Sequence, residues 1–340
     1  MIRAGRNRRM ALAASAVAPL LLLAACGGDD AGASGEGGDI ELTLAHSYTE
    51  DQPQHTCGAQ VIADELANAD VGVTAEIYAS SQLGADADRI ASVASGDIDM
   101  DIQGASALGA LYEPMSVVDA AYAFDDSEHL ARFFGSEASD ELKQGFLDET
   151  QVRVLGAWSA GARHFTANDP IRSPEDLEGL RMRFPNSPQY LMNAKALGAT
   201  ATEVAYEELY LALQQGTVDG QENPIVNIAA INLAEVQDYL SMSGHQANSN
   251  LVVVGPVWDE MSAEQQDALT AAVEAAVEQV PQCVEEAEQE TLAEWRESGD
   301  FEIVEDVDVE AFRSKADAYL RDNFTEEQLK VYEAIRGEAG

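Results

Sequence analysis

Basic residues are scarce in this chain: 19 Lys and Arg stand against 61 Asp and Glu, a formal net charge of −42. Such a field repels phosphate backbones and anionic membrane surfaces, so nucleic acid is not an expected partner. Long apolar runs are also lacking. One stretch, Met10 to Ala25, has 16 residues and contains Pro19, short of the roughly 18 to 20 that cross a bilayer as a helix; no second run of that kind follows. Three cysteines and five scattered histidines supply no zinc site, and no His-Glu-x-x-His motif is present. No metal or cofactor is expected. An internal repeat with a period of roughly 20 to 50 residues is absent as well.

What is present at the start is a targeting pattern. Arg3, Arg6, Arg8 and Arg9 precede the apolar run without any acid, the charge-then-hydrophobe order of a secretion signal. The junction Leu23-Ala24-Ala25-Cys26 resembles the bacterial lipobox, in which the cysteine is lipidated and becomes the new terminus. Residues 1–25 are therefore expected to be a lipoprotein signal peptide with Cys26 as the lipidation site. Residues 26–38, rich in Gly, Ala, Ser and acid, read as a flexible tether. The folded part starts near Asp39; with the four leading arginines set aside, 15 basic residues stand against 61 acidic ones in the chain after the signal. Cys57 and Cys283 then remain, either as a disulfide, since thiols outside the cytoplasm often pair, or equally as two separate buried thiols.

From Asp39 onward short β-type runs alternate with helical stretches, which argues for an α/β fold with largely parallel strands. Strands are expected at 40–45, 73–78, 98–102, 152–157, 180–184 and 251–254, and helices at 54–69, 85–95, 127–134, 188–197 and 206–215. Ser173 followed by Pro174, Glu175 and Asp176 predicts a short helix with Ser173 as its cap. Residues 262–297, free of glycine, predict one long helix bent or interrupted at Pro281. Two further helices, 309–323 and 326–335, close the chain.

A site for a polar ligand in so acidic a chain should stand out as a local reversal of charge. Residues 151–200 hold Arg153, Arg163, Arg172, Arg181, Arg183 and Lys195 against Asp169, Glu175, Asp176 and Glu178. Arginine suits anion capture because its planar fork gives two parallel hydrogen bonds to a carboxylate and keeps its charge when desolvated. Arg153 and Arg172 read as surface charges. Arg181 and Arg183 flank Met182 in a strand and share one face, so at least one of them is expected to face a cleft. Asp97, Asp99 and Asp101 alternate with Ile98, Met100 and Ile102, the pattern of a half-exposed strand and not of a calcium loop, which would need Gly at 102 and Glu at 108.

Three blocks carry a resemblance: Gly161-Ala162-Arg163-His164-Phe165-Thr166, Leu177-Glu178-Gly179-Leu180-Arg181-Met182-Arg183-Phe184-Pro185, and Val218-Asp219-Gly220-Gln221-Glu222-Asn223-Pro224. Their order and spacing resemble the substrate-binding proteins of TRAP (tripartite ATP-independent periplasmic) transporters, of the dicarboxylate-type family. The resemblance implies a two-lobed periplasmic-binding-protein fold with hinge strands, a central ligand cleft and a long C-terminal helix, the lobes comprising 39–160 plus 249–290 and 161–248 plus 291–340. It implies a binding protein and not an enzyme: a small organic carboxylate is captured outside the membrane and handed to TRAP membrane subunits by a monomer held through its lipid anchor. Arg183 matches the arginine that pairs with the ligand carboxylate, Arg163 a second arginine of the site, and Asn223 an asparagine that hydrogen-bonds the ligand. Read from the residues alone, Asn223 is equally the cap of a helix starting at Pro224. Trp158 and Tyr206 match aromatics over the ligand, with core packing as the rival reading. Gln103 and His46, each following an expected strand, are further candidates by position.

Two other classes are weaker. Ala157-Trp158-Ser159-Ala160-Gly161 approaches a nucleophile elbow, but alanine replaces its first glycine. A binding protein of an ABC transporter shares the two-lobed logic but does not account for the three blocks.

Overall fold

The computed structural model describes residues 38–339. The signal segment, Cys26 and the tether up to residue 37 lie outside the described residues.

Nine strands form one mixed sheet: β1 (Ile40–His46), β2 (Val73–Tyr78), β3 (Met100–Gln103), β4 (Arg153–Ala167), β5 (Arg181–Phe184), β6 (Thr200–Glu203), β7 (Gly220–Pro224), β8 (Tyr239–Val254) and β9 (Glu302–Val304). Their order is β2-β1-β3-β8-β4-β7-β5-β6, with β9 beside β8. The helices are α1 (Gln60–Ala69), α2 (Asp86–Ser95), α3 (Ala105–Leu108), α4 (Ser127–Phe134), α5 (Glu137–Thr150), α6 (Pro188–Leu197), α7 (Leu209–Gln214), α8 (Ile225–Ala230), α9 (Ala263–Ser298), α10 (Val309–Asn323) and α11 (Glu326–Gly337).

Parallel pairs lie at the flanks, β1 with β2 and β3, β5 with β6 and β7, and short β9 also runs parallel to β8. The centre is antiparallel: β3 on β8, β8 on β4, β4 on β7. β4 and β8 each run through both halves of the sheet. One end of β8 carries β3 through residues 251–254, while the far end of β4 carries β7 through residues 163–167. Both strands extend well beyond the segments expected from sequence. Their middles are polar and small, with Ser159, Gln246, Asn248, Ser249 and Asn250 buried, so apolar alternation does not mark them. The backbone ladder between them and these hydrogen-bonded side chains keep them extended.

Three apolar clusters hold the layers. Leu42, Leu44, Ile62, Leu66, Val252, Leu269 and Val273 pack α1 and α9 on one face of the first half. Phe133, Phe146, Phe165, Phe184, Phe312 and Tyr332 belong to a core that runs behind both halves. Leu209, Leu213, Ile228, Leu240, Trp295 and Phe301 close the second half. α9 spans 36 residues and continues through Pro281, so of the two expectations there, a bend or an interruption, the interruption does not occur. Proline removes one backbone donor, and the packing of Ala276, Val280 and Val284 in the core outweighs that loss. Where α9 crosses β4, Gly156 is required: a Cβ there would lie 2.7 Å from Val273 and 2.8 Å from Val277.

Cys57, in the π-helical turn Gln54–Ala59, is bonded to Cys283 in α9, their Cα atoms 6.6 Å apart. The bridge ties two segments 226 positions apart in sequence, so its constraint on the unfolded chain is large. Reduction, or the double change Cys57→Ser with Cys283→Ser, is expected to lower unfolding free energy by about 2 to 5 kcal/mol, measured by urea denaturation.

Two readings are corrected by burial. Asp101 is not half-exposed: it is fully buried and bonded to the equally buried Arg89, 3.1 Å from its Nε. Asn223 does not cap a helix, because it lies in β7 and the helix begins at Ile225 after Pro224.

Glu288 of α9 sits over Gly161, which has a positive φ of 92° at the irregularity of β4 between Ser159 and Ala162. Burial, with Glu285 nearby, raises its carboxyl to about 7. Because the folded value exceeds the unfolded one, this group's stabilising contribution is full in acid and is lost as pH rises through about 7. Glu288→Gln is therefore expected to stabilise the protein at pH 8 and to leave it little changed at pH 4, read as melting temperature at the two pH values.

Candidate functional site

Between the two halves, where β4 and β8 cross from one to the other, lies a cavity of about 380 Å³. The first half contributes Tyr48 after β1, Asp86 at the start of α2 and Gln103 at the end of β3; the second contributes Arg183 from β5, Tyr206 and Asn223. Asn248, Ser249 and Asn250 of β8 form part of the wall. The halves also touch directly: the hydroxyls of Ser106 and Ser187 are bonded, and Ser81 donates to Glu207.

Arg183 and Arg181 are both on β5, but only one reaches the cavity. Arg181, at the strand's exposed end, makes a paired bridge to Asp219, at 2.6 and 2.9 Å. Arg183, two residues on, is 2% exposed. Its Nε donates to the carbonyl of Val204 at 2.8 Å, and its buried Nη1 has no partner. Burial depresses the guanidinium to about 10, with Glu222 opposing and Arg163 adding to the effect. It therefore remains charged at neutral pH, without a bonded carboxylate.

Arg163 also lines the cavity, yet its charge is already matched. Nε and Nη2 grip the Glu222 carboxylate, the second at 2.8 Å; Nη1 donates to Asn248 at 2.6 Å and Nη2 to Asn223 at 3.0 Å. Tyr190 lies beneath the guanidinium, 4.9 Å from ring centre to Cζ. Burial pulls the Arg163 pKa down, but the Glu222 charge overrides it and holds the group firmly protonated. Glu222 in turn stays ionised despite burial, through Arg163 and His245 Nε2 at 3.2 Å. The antiparallel register of β4 and β7, Arg163 opposite Pro224 and Phe165 opposite Glu222, brings this pair together.

The other expected residues divide. Asn223 lines the cavity, its Oδ1 accepting from Arg163 and its Nδ2 donating to Gln221 at 2.5 Å. Tyr206 lines it with its hydroxyl donating to the Asn227 carbonyl at 3.1 Å. Gln103 lines it too, though its Oε1 accepts from the Gly104 amide at 3.0 Å. Trp158 does not reach the cavity: it is buried in the core against Gly58, because it sits on the face of β4 covered by α9. His46 is fully buried as well, bonded to His55 at 3.1 Å, and burial lowers it to about 3, so it is uncharged. Glu222, Tyr190, Asp86, Asn248 and Asn250 went unnoticed from sequence. Only tertiary pairing distinguishes them among 61 acids and a common set of amides and tyrosines.

Among the described residues no group of His, Cys, Asp or Glu could hold a metal. A mixed sheet in two halves joined by long shared strands, with a polar cavity where they cross, is the architecture of a two-lobed solute-binding protein. Residues 44–327 match the family model for bacterial extracellular solute-binding protein, family 7. A solute-binding protein of Roseobacter denitrificans is 32% identical over 306 residues, covering 88% of this chain and 92% of the relative. The sialic acid-binding periplasmic protein SiaP of Vibrio cholerae is 33% identical over 243 residues, covering 71% and 76%. A solved TRAP periplasmic solute-binding protein from Roseobacter denitrificans with bound L-galactonate aligns at TM-score 0.79 and 31% identity, over 88% of this chain and 99% of that one. Another, from Polaromonas with bound D-erythronate, aligns at 0.81 and 27%, over 87% and 98%. The chain belongs to the family 7 extracellular solute-binding proteins, the binding proteins of TRAP transporters. These are transport proteins and not enzymes.

Proposed function

We propose that this protein captures a small organic acid in the cavity, seats its carboxylate on Arg183, and delivers it to TRAP membrane subunits. The observation that carries the reading is Arg183 Nη1, a buried charged donor in the cavity wall without a partner. An unpaired buried donor is costly, and a ligand carboxylate supplies the missing acceptor. Arg163 lines the same site but is paired with Glu222, so its part is to orient Asn223 and Asn248 and to add to the local field. The acids bound by solved relatives, L-galactonate and D-erythronate, agree with carboxylate capture.

Capture proceeds by hinge bending of two lobes, 39–160 plus 249–290 against 161–248 plus 291–340, with β4 and β8 as the shared strands. Ser106–Ser187 and Ser81–Glu207 would be the contacts that form on closure. The protein works as a monomer on the outer side of the membrane, held by a lipid on Cys26, and itself makes no covalent change in the ligand. A thermal-shift screen of organic acids tests the capture. A ligand at 100 times its dissociation constant stabilises by about 2.7 kcal/mol, and silence across all acids would overturn the reading. Cys26→Ser is expected to release the protein from membranes into the soluble fraction without changing acid affinity.

A further inference from the structure

The cavity that Arg183 lines also holds a set of polar groups with free acceptor atoms. Asn250 is fully buried, and its Nδ2 donates to the Ser249 carbonyl at 2.9 Å and to the Tyr48 hydroxyl at 2.5 Å. Those bonds orient the amide so that Oδ1 is the free end, and Oδ1 has no partner. The side-chain oxygen of Asn227, a residue 6% exposed, is also without one, but no bond fixes that amide, which can turn either its oxygen or its NH2 to a ligand. Asp86 completes the set. Its carboxylate is half-exposed to the cavity and takes one bond from Ser47 at 2.7 Å and one from Arg89 at 3.0 Å. Arg89 is shared with Asp101, so one guanidinium serves two carboxylates.

Counting charges gives the same sense. Arg183, Arg163 and Arg89 face Glu222, Asp86 and Asp101, and Glu203, Glu207 and Glu208 add further acid to the cavity lining. The site thus carries one locally unpaired cation and no surplus of positive charge for a second anion. Unsatisfied buried acceptors need donors, as an unsatisfied donor needs an acceptor.

We infer that the ligand is a monocarboxylate whose far end donates hydrogen bonds, through hydroxyl or ammonium groups, to Asn250 and Asp86, and that Asp86 discriminates against a second carboxylate there. This rests on the carboxylate reading of Arg183 and narrows it. A hydroxyl and an ammonium satisfy the same acceptors, so the two sources are separated by experiment. A carboxylate at that end would meet acceptors and a like charge, which costs binding free energy.

The test is calorimetric titration of the full-length protein with four series matched at four to six carbons: aldonates, ω-amino acids, unsubstituted alkanoates and α,ω-dicarboxylates. At least one aldonate or ω-amino acid is expected to bind, with the alkanoate and the dicarboxylate of its chain length at least about 100-fold weaker, the loss expected when a site built for polar partners is left unpaired. The series that binds identifies the donor. In Asp86→Asn, which keeps the acceptor and removes the charge, the gap between the best donor acid and the matching dicarboxylate should narrow by about tenfold or more, with a melting temperature near wild type. An alkanoate or dicarboxylate that binds as tightly as the best donor acid overturns the inference and leaves the Arg183 reading standing. An unchanged gap in Asp86→Asn overturns the role of Asp86. No binding in any of the four series overturns both this inference and the carboxylate reading on which it rests.

Discussion

Arg183→Ala is expected to lose acid binding by about 2 to 5 kcal/mol, the range for truncating one partner of a buried charge-assisted pair, or roughly 30-fold to several thousand-fold in Kd. The empty protein should not suffer with it. In the unliganded site this guanidinium is buried, has one backbone bond and an orphan Nη1, and is held below its ordinary value at about 10 chiefly by burial. Removing it relieves a desolvation cost, so the melting temperature of the ligand-free variant should equal or exceed that of the parent. Arg183→Lys should also bind weakly, since an ammonium keeps the charge but not the planar fork. Because the charged form binds, affinity in the parent should hold from pH 6 to 9 and fall as pH rises beyond about 10. Titration calorimetry reads the affinities, and scanning calorimetry reads the stabilities.

Glu222→Ala acts in the opposite way. It strands Arg163, which is 3% exposed and has Glu222 as its bonded carboxylate, and it removes the acceptor of His245. Breaking one side of a buried pair costs about 3 to 5 kcal/mol, so the variant should unfold at clearly lower denaturant. The double change Arg163→Met with Glu222→Leu removes both charges together and should be less destabilising than Glu222→Ala alone, because no uncompensated charge is left. Denaturant unfolding of the three variants measures this. If Glu222→Ala is as stable as the parent, the pair does not hold the site together.

The contrast between the two arginines shows what the residues disclose and what they conceal. The positive island of 151–200 is the stretch from which both cavity arginines come. Alternation about Met182 placed Arg181 and Arg183 on one face, but it could not say that the strand's end leaves Arg181 in solvent beside Asp219 while Arg183 is enclosed. Nor could it separate a paired arginine from an unpaired one. That difference depends on the register of β4 with β7, which brings Glu222 to Arg163 from 59 positions away.

Elements with a strong local signal were legible. β2, α4 and α6 begin and end where apolar periodicity and caps put them, and the short turn after Ser173 has its capping box. The long strands were not, because buried polar residues such as Gln246, Asn248 and Asn250 imitate a loop until their partners are known. Trp158, which takes the core-packing alternative, and His46 lie off the cavity for a related reason. A side chain next to a strand end has two faces available, and here α9 and the turn holding His55 occupy the face each one takes. The remaining polar lining, Asn250, Asp86 and Asn227, was illegible altogether, since its residues come from β8, α2 and α8, three segments with no common sequence signal.

The central claim is that a ligand carboxylate completes the coordination of Arg183. A crystal structure of the protein with the acid that gives the largest thermal shift tests it most directly. The expected result is a carboxylate within hydrogen-bond distance of Arg183 Nη1, the Arg163–Glu222 pair intact and the Val204 bond retained. A carboxylate bound elsewhere in the cavity, with Nη1 still lacking an acceptor, would contradict the account.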